Sequence, residues 1–228
     1  MRTPLILTVV LAFFAACTSP SEQPPTTDAG VTADTTDANT TALGAAPGFT
    51  LTDTNGQQHA LSDFAGQWVV LEWLNYDCPF VAKHYNGGNM QATQQRWRDE
   101  GAVWLAIVSN APGEQGHFPP DEMNARSEQE GSRATAVLMD EAGTVGRSYG
   151  ARTTPQMVII NPEGQIVYNG AIDDRPSRDA ESLEGATNYV NQAMEEALAG
   201  QPVSVATTQP YGCSMKYADE LEGATAEA

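Results

Sequence analysis

Basic residues are scarce in this 228-residue chain: eleven Lys and Arg stand against twenty-nine Asp and Glu, a formal net charge of −18. Phosphate binding rests on clustered Lys and Arg, so the balance excludes nucleic acid as a partner and predicts a solvated acidic surface. Long apolar runs are also missing. The run from Leu5 to Phe14 is too short for a permanent membrane span and has no second segment to pair with, so no integral membrane protein is expected. Histidine is limited to His59, His84 and His117, scattered singly, and cysteine to Cys17, Cys78 and Cys213. No metal and no other cofactor is expected from so sparse a set. Between Thr18 and about Ala45 almost nothing is large and apolar, and the tail from Ala218 to Ala228 is acidic and small. The first stretch cannot bury enough surface to offset its ordering entropy and reads as a disordered tether, and the tail reads as disordered or a frayed helix.

What is present begins with Met1-Arg2-Thr3, the apolar run, and then Ala15-Ala16-Cys17: a charged tip, a greasy segment and small residues before a cleavage point. Phe14-Ala15-Ala16-Cys17 resembles the bacterial lipobox, with Phe14 where Leu is usual. The resemblance implies acylation of Cys17 and a chain held to the membrane by its lipid anchor only. An ordinary secretory signal with a chance Cys is the alternative. Thr18 stands where an Asp would signal inner-membrane retention, which tips the expected location toward the periplasmic face of the outer membrane. The organisation is thus a signal at residues 1–17, a tether at 18–45, one domain at 46–217 and a tail at 218–228.

Within that domain strand-like and helix-like signals alternate, the pattern of an α/β layer structure. Phe49 to Asp53 and Gln57 to Leu61, joined through Asn55-Gly56, read as an edge hairpin. Trp68–Leu74, Ala102–Ser109, Thr135–Met139, Gln156–Ile160 and Gln165–Tyr168 are apolar runs of strand length. Helical stretches are expected at Phe80–Arg98 with a weak point at Gly87-Gly88, at Pro120–Glu130, at Thr144–Tyr149 and at Leu183–Leu198. Asn161-Pro162-Glu163-Gly164 is a turn that makes the last two strands antiparallel neighbours.

If Cys17 is acylated, an even pair remains in an oxidising compartment, Cys78 and Cys213, which invites a disulfide. Cys78 follows a buried-looking strand and precedes Pro79 and a helix, so it falls near the N-cap with Pro at the favoured first position. The free amides and partial positive charge at a helix N-terminus favour thiolate over thiol, and the thiolate is the nucleophile.

Leu61 to Leu71 leading toward that cysteine, Cys78-Pro79, and Tyr149-Gly150-Ala151-Arg152-Thr153-Thr154-Pro155 before a strand together resemble the thioredoxin superfamily, its redoxin or peroxiredoxin-like branch in particular. The resemblance covers roughly Ala46 to Gly200. It implies a thioredoxin-like fold, a central mixed sheet flanked by helices with an N-terminal hairpin extension. It also implies a cis Thr154–Pro155 bond flooring the substrate site, with Asn75 and Pro79 beside it. Glu72, six residues before Cys78, holds the place of a buried acid that exchanges protons with the thiols; the competing reading turns it to the other face, simply paired. The departures matter as well. Val81 stands where thioredoxins have a second cysteine, and Leu71 and Asn75 stand where peroxiredoxins have Pro and Thr.

Asn75 can offer a hydrogen bond to a thiolate or peroxide oxygen, or satisfy loop backbone. Lys83 and His84 can add positive charge near Cys78; a solvated helix face for Lys83 and partly buried packing for His84 are the blander expectations. A copper site, as in copper-handling thioredoxin-like proteins, lacks the CxxxC those carry. Arg152 orients a substrate or pairs with an acid, and Trp73 and Tyr76 read as core and lid. A terminal Gly212-Cys213-Ser214 resembles that of peroxiredoxin-like proteins and implies a two-cysteine cycle with Cys213 resolving Cys78. The expected activity is thiol–disulfide exchange or peroxide reduction on protein thiols, disulfides or peroxide, recharged by an unknown reductant. The competing reading is a disulfide-stapled binding module that turns nothing over.

Overall fold

The computed structural model describes residues 42–218. The chain enters through β1 (Gly44–Ala45) and the hairpin of β2 (Thr50–Asp53) and β3 (Gln58–Ala60). The run from Trp68 becomes β4 (Val69–Trp73), buried at every residue, and leads to α1 (Pro79–Asn86) and α2 (Asn89–Asp99). There follow β5 (Val103–Val108), α3 (Pro120–Gln129), β6 (Ala136–Met139), α4 (Thr144–Ser148), β7 (Thr153–Thr154), β8 (Gln156–Ile160), β9 (Gln165–Gly170), α5 (Tyr189–Leu198) and β10 (Cys213–Ser214). Eight strands form one sheet in the order β1-β9-β8-β4-β5-β6-β2-β3, and β7 with β10 form a second, two-stranded one.

β4, β5 and β6 run parallel, each pair joined by a helical crossover, while β8 returns antiparallel beside β4 and β9 beside β8. The Asn161 turn makes that last reversal: Asn161 Oδ1 accepts from Gln165 N at 2.7 Å. Alternation along β4 divides the core, as a two-residue period requires. Val69, Leu71 and Trp73 face a cluster with Val145, Tyr149 and Tyr217; Val70 and Leu74 face the larger one with Cys78, Val81, Trp97, Trp104 and Val190. The mixed α/β sheet, its flanking helices and the edge hairpin are as expected.

Three details depart from expectation. Leu43 to Ala45, assigned to the tether, pairs with β9: Leu43 N donates to Ile166 O at 2.7 Å and Gly44 aligns with Ile166. Small residues at a sheet edge need no core of their own to pair, which a composition argument does not see. The last helix begins at Tyr189 and not near Leu183, because Gly185 adopts φ +67° and Asn188 caps the helix by accepting from Asn191 N. Strand β10 lies in a segment with no strand pattern and exists through its pairing with β7. The expected helix break is present: Gly88 takes φ +70° and caps α2. Among the described residues no helix is long and apolar enough to cross a membrane. The signal, the acylation expected at Cys17, most of the tether and nearly all of the acidic tail lie outside the described residues.

Candidate functional site

Cys78 is the N-cap of α1, with Pro79 at the first helical position and its own amide donating to Asn75 O at 3.0 Å. The loop ahead of it is tied down by Asn75, whose Oδ1 accepts from Asp77 N at 2.9 Å and whose Nδ2 reaches Gln115 O at 3.4 Å. Those are the bonds of a loop-shaping residue. Cys78 Sγ is fully buried and donates to the carbonyl of Thr154 at 3.0 Å. Thr154–Pro155 is a cis peptide bond.

Strand pairing brings Cys213 to the same residue. β10 pairs antiparallel with β7, Cys213 opposite Thr154 and Ser214 opposite Thr153. Gly212 makes this possible: it lies at φ +147°, and a Cβ there would collide with the Thr154 carbonyl oxygen. Cys78 and Cys213 are both free thiols, and Cys213 packs against the core cluster that holds Cys78. Burial, and then the bond to and charge of Cys78, push the Cys213 thiol up to about 12. Two cysteines 135 positions apart in sequence are therefore both brought to Thr154, Cys78 by its thiol and Cys213 by strand pairing.

Around them lies a polar cluster that the sequence reading did not assemble. Lys83, expected on a solvated face, is 1% exposed. Its Nζ donates to Asp173 Oδ2 at 3.1 Å, Arg175 O at 2.6 Å and Tyr211 OH at 2.9 Å. His84, expected to be partly buried, has no exposed surface; it contacts Asn89 Nδ2 at 2.8 Å through Nδ1 and Tyr211 OH at 3.3 Å through Nε2. Burial holds His84 down at about 4, and burial lowers Lys83 against the opposing pull of Asp173. Tyr211 OH also donates to Asp173. Burial raises the Tyr211 phenol far above its ordinary range. A cavity of about 350 Å³ opens beside the cluster, bordered by Ala171, Asp173, Tyr189, Thr208 and Tyr211. One signal of burial was available: His84 sits three residues after Val81 and next to Tyr85, on the apolar face of α1. Asp173 and Tyr211 carried none.

Glu72 lies on the Cys78 side of the sheet, between Val70 and Leu74 in strand order, so the other-face alternative does not hold. It is nonetheless fully paired, accepting from Trp104 Nε1 at 2.7 Å, Gln94 Nε2 at 3.0 Å and Tyr85 OH at 3.3 Å. Burial raises it to about 7 against these bonds. Trp73 is core, donating to Ser109 Oγ at 3.2 Å, and Tyr76 donates to Ser127 Oγ at 3.0 Å. Arg152 is exposed, and its backbone carries its bonds to Gln156 Oε1 and Met215 N. His59 pairs with Asp53 at 3.0 Å and His117 with Glu141 at 2.8 Å. Among the described residues no cluster of three or more His, Cys, Asp or Glu is placed to hold a metal.

Solved structures share this architecture. A hypothetical protein from Sinorhizobium meliloti 1021 superposes with a TM-score of 0.67 at 23% identity, over 78% of this chain and 94% of its own. An uncharacterised conserved protein from Geobacillus kaustophilus superposes with a TM-score of 0.65 at 27% identity, over 76% of this chain and 90% of its own. No curated protein matches the chain. The AhpC/TSA family model matches residues 43–169, a span that holds Cys78, Thr154 and Pro155 and stops before Asp173, Tyr211 and Cys213. With more than half of its length matched and a thioredoxin-like mixed sheet beneath it, the chain belongs to the AhpC/TSA family of the thioredoxin superfamily.

Proposed function

We propose that the protein is a thiol-dependent oxidoreductase in which Cys78 is the nucleophile and Cys213 resolves it. The observation that supports this most is that both cysteines are brought to Thr154, Cys78 by its thiol bond from a helix N-cap and Cys213 as its partner in a strand paired to the cis-proline segment. Cys78 thiolate attacks one sulfur of a partner's disulfide, forming a mixed disulfide and expelling the other sulfur as a thiolate. The charge of Cys78, which helps to keep Cys213 protonated, is gone at that point. Cys213 then loses its proton and attacks the Cys78 sulfur, forming the Cys78–Cys213 disulfide and releasing the second partner thiol. The partner is reduced by two electrons and an external dithiol restores the pair. With peroxide, Cys78 becomes a sulfenic acid and releases the alcohol or water; Cys213 then displaces water.

Glu72, raised to about 7, fits a proton store behind the thiols. Thr154 and Pro155 form the platform, with Pro79 and Asn75 shaping the side facing the partner. Cys17 supplies the lipid anchor, and the setting is the bacterial cell envelope, on a periplasm-facing membrane surface. The complete burial of Cys78 favours a second reading, a staple that pins the C-terminal segment of a binding module.

Thiol trapping and mass spectrometry of the chain in graded redox buffers separates the two. A Cys78–Cys213 disulfide poised well above about −300 mV, with C78S abolishing disulfide reduction and C213S trapping the mixed disulfide, is the expected result. A disulfide reduced only below about −300 mV makes the pair structural.

A further inference from the structure

The Lys83–Asp173 pair is buried at both ends, with side-chain exposures of 0% and 1%. No step of the proposed chemistry uses it. Tyr211, two residues before Cys213, links it to the strap that carries that cysteine. The Tyr211 ring meets Phe80 edge-on at 5.8 Å, Lys83 Nζ lies 5.1 Å from its centroid, and its hydroxyl is shared by Lys83, His84 and Asp173. Phe80, Lys83 and His84 all belong to α1, the helix that Cys78 caps. The strap bearing Cys213 is thus fastened to the helix bearing Cys78 by a side chain two residues from the cysteine. The strap is anchored upstream by Thr208, bonded to Asn169 and Ala171, and downstream by the pairing of β10 with β7 and by Met215, Lys216 and Tyr217, bonded to Arg152, Asn110 and Ala151; between these anchors Tyr211 ties it to α1.

We propose that Tyr211, fixed by the buried Lys83–Asp173 pair and His84, is a positioning residue that seats Cys213 on Cys78 and so sets how readily their disulfide forms. The inference rests on the two-cysteine reading above. Its logic is linkage: the latch orders the strap in the reduced protein, where the disulfide cannot, so the entropy of bringing the thiols together is already lost before the bond forms. Weakening the latch loosens the reduced strap between its anchors, where Cys213 lies, leaves the disulfide-closed strap little changed, and makes the disulfide easier to reduce.

The experiment compares the full chain with Tyr211→Phe, which keeps the ring against Phe80 and removes the hydroxyl. The disulfide equilibrium against glutathione is expected to fall at least tenfold, a shift of about 30 mV to less negative potential. In the fully reduced protein, iodoacetamide is expected to label Cys213 at least tenfold faster. A potential that stays in place, or moves to more negative values, overturns the proposal, whereas general destabilisation of both redox states alike leaves the potential unmoved. If the wild type forms no disulfide in any buffer, the two-cysteine reading fails, and Cys213 labelling decides positioning by itself: an unchanged rate overturns it. His84→Gln removes one partner of the same hydroxyl and carries the same expectation at about twofold, so the test survives a Tyr211→Phe chain that does not fold.

Discussion

Two polar groups are buried on the same side of the sheet, and burial disfavours the charge of each, but they lie in different company. Glu72 sits among neutral donors, Trp104, Gln94 and Tyr85, and burial raises it to about 7. Lys83 is buried as completely but lies against a carboxylate, and Asp173 opposes the loss of its charge. Hydrogen bonds from neutral donors soften desolvation, whereas an opposite charge can offset it. Burial alone therefore does not decide the charge state of a group. The first site can store a proton near neutrality, and the second is a fixed ion pair suited to holding a segment in place.

The largest effect is expected from breaking the ion pair on one side only. Asp173→Asn leaves Lys83 buried without its counter-charge and should cost about 3–5 kcal/mol of stability, read from urea unfolding. The double variant Lys83→Met with Asp173→Leu should recover at least half of that loss, because an apolar pair of similar volume has no charge to desolvate. A double variant as unstable as Asp173→Asn would show that the pair matters for its hydrogen bonds to Tyr211 and Arg175, not its charge.

Glu72 should show the next largest effect, and its sign follows from the direction of its shift. Its folded value, about 7, lies above the ordinary 4.5, so between those values the folded state keeps a proton that the unfolded state has released. Stability falls as pH rises through that window, by about 3 kcal/mol for a shift of this size. Glu72→Gln cannot titrate, and the difference between its unfolding free energy and that of the wild type should grow in its favour from pH 4.5 to 7. A difference independent of pH would mean that Glu72 is already charged in the folded protein, and would remove it as a proton store.

How much of this was legible in sequence depends on the range of the interaction. The strands, the break at Gly88 and the Cys78-Pro79 helix start are local patterns, and each was read within a few residues of its place. The face of Glu72 follows from its strand's alternation. Its pairing with Gln94 and Trp104 spans 22 and 32 residues and needs the crossovers to be known. Lys83 was misplaced because a lysine on a short helix is usually solvated, and the partners that make its burial tolerable, Asp173, Arg175 and Tyr211, lie ninety or more residues on. β10 could not be read at all: its residues have no strand pattern, and its pairing depends on where β7 happens to lie.

The smallest effect at neutral pH, and the sharpest test of the contrast, belongs to His84. It is held at about 4, below its ordinary 6.5, so between those values the unfolded state binds a proton that the folded state does not. Stability contributed by the neutral ring is therefore present above pH 6.5 and lost as pH falls toward 4. Glu72 runs the other way over nearly the same range, losing stability as pH rises. Between pH 4.5 and 6.5 the two slopes oppose, so their joint contribution to the wild type is nearly flat. His84→Gln should cost about 1 kcal/mol at pH 7, the scale of one altered hydrogen bond, and its stability relative to the wild type should improve as pH falls through that window. Glu72→Gln should tilt the curve in the opposite sense. If both variants keep the wild-type slope, neither group changes its protonation on folding, and the apparent contrast reduces to two sets of hydrogen bonds.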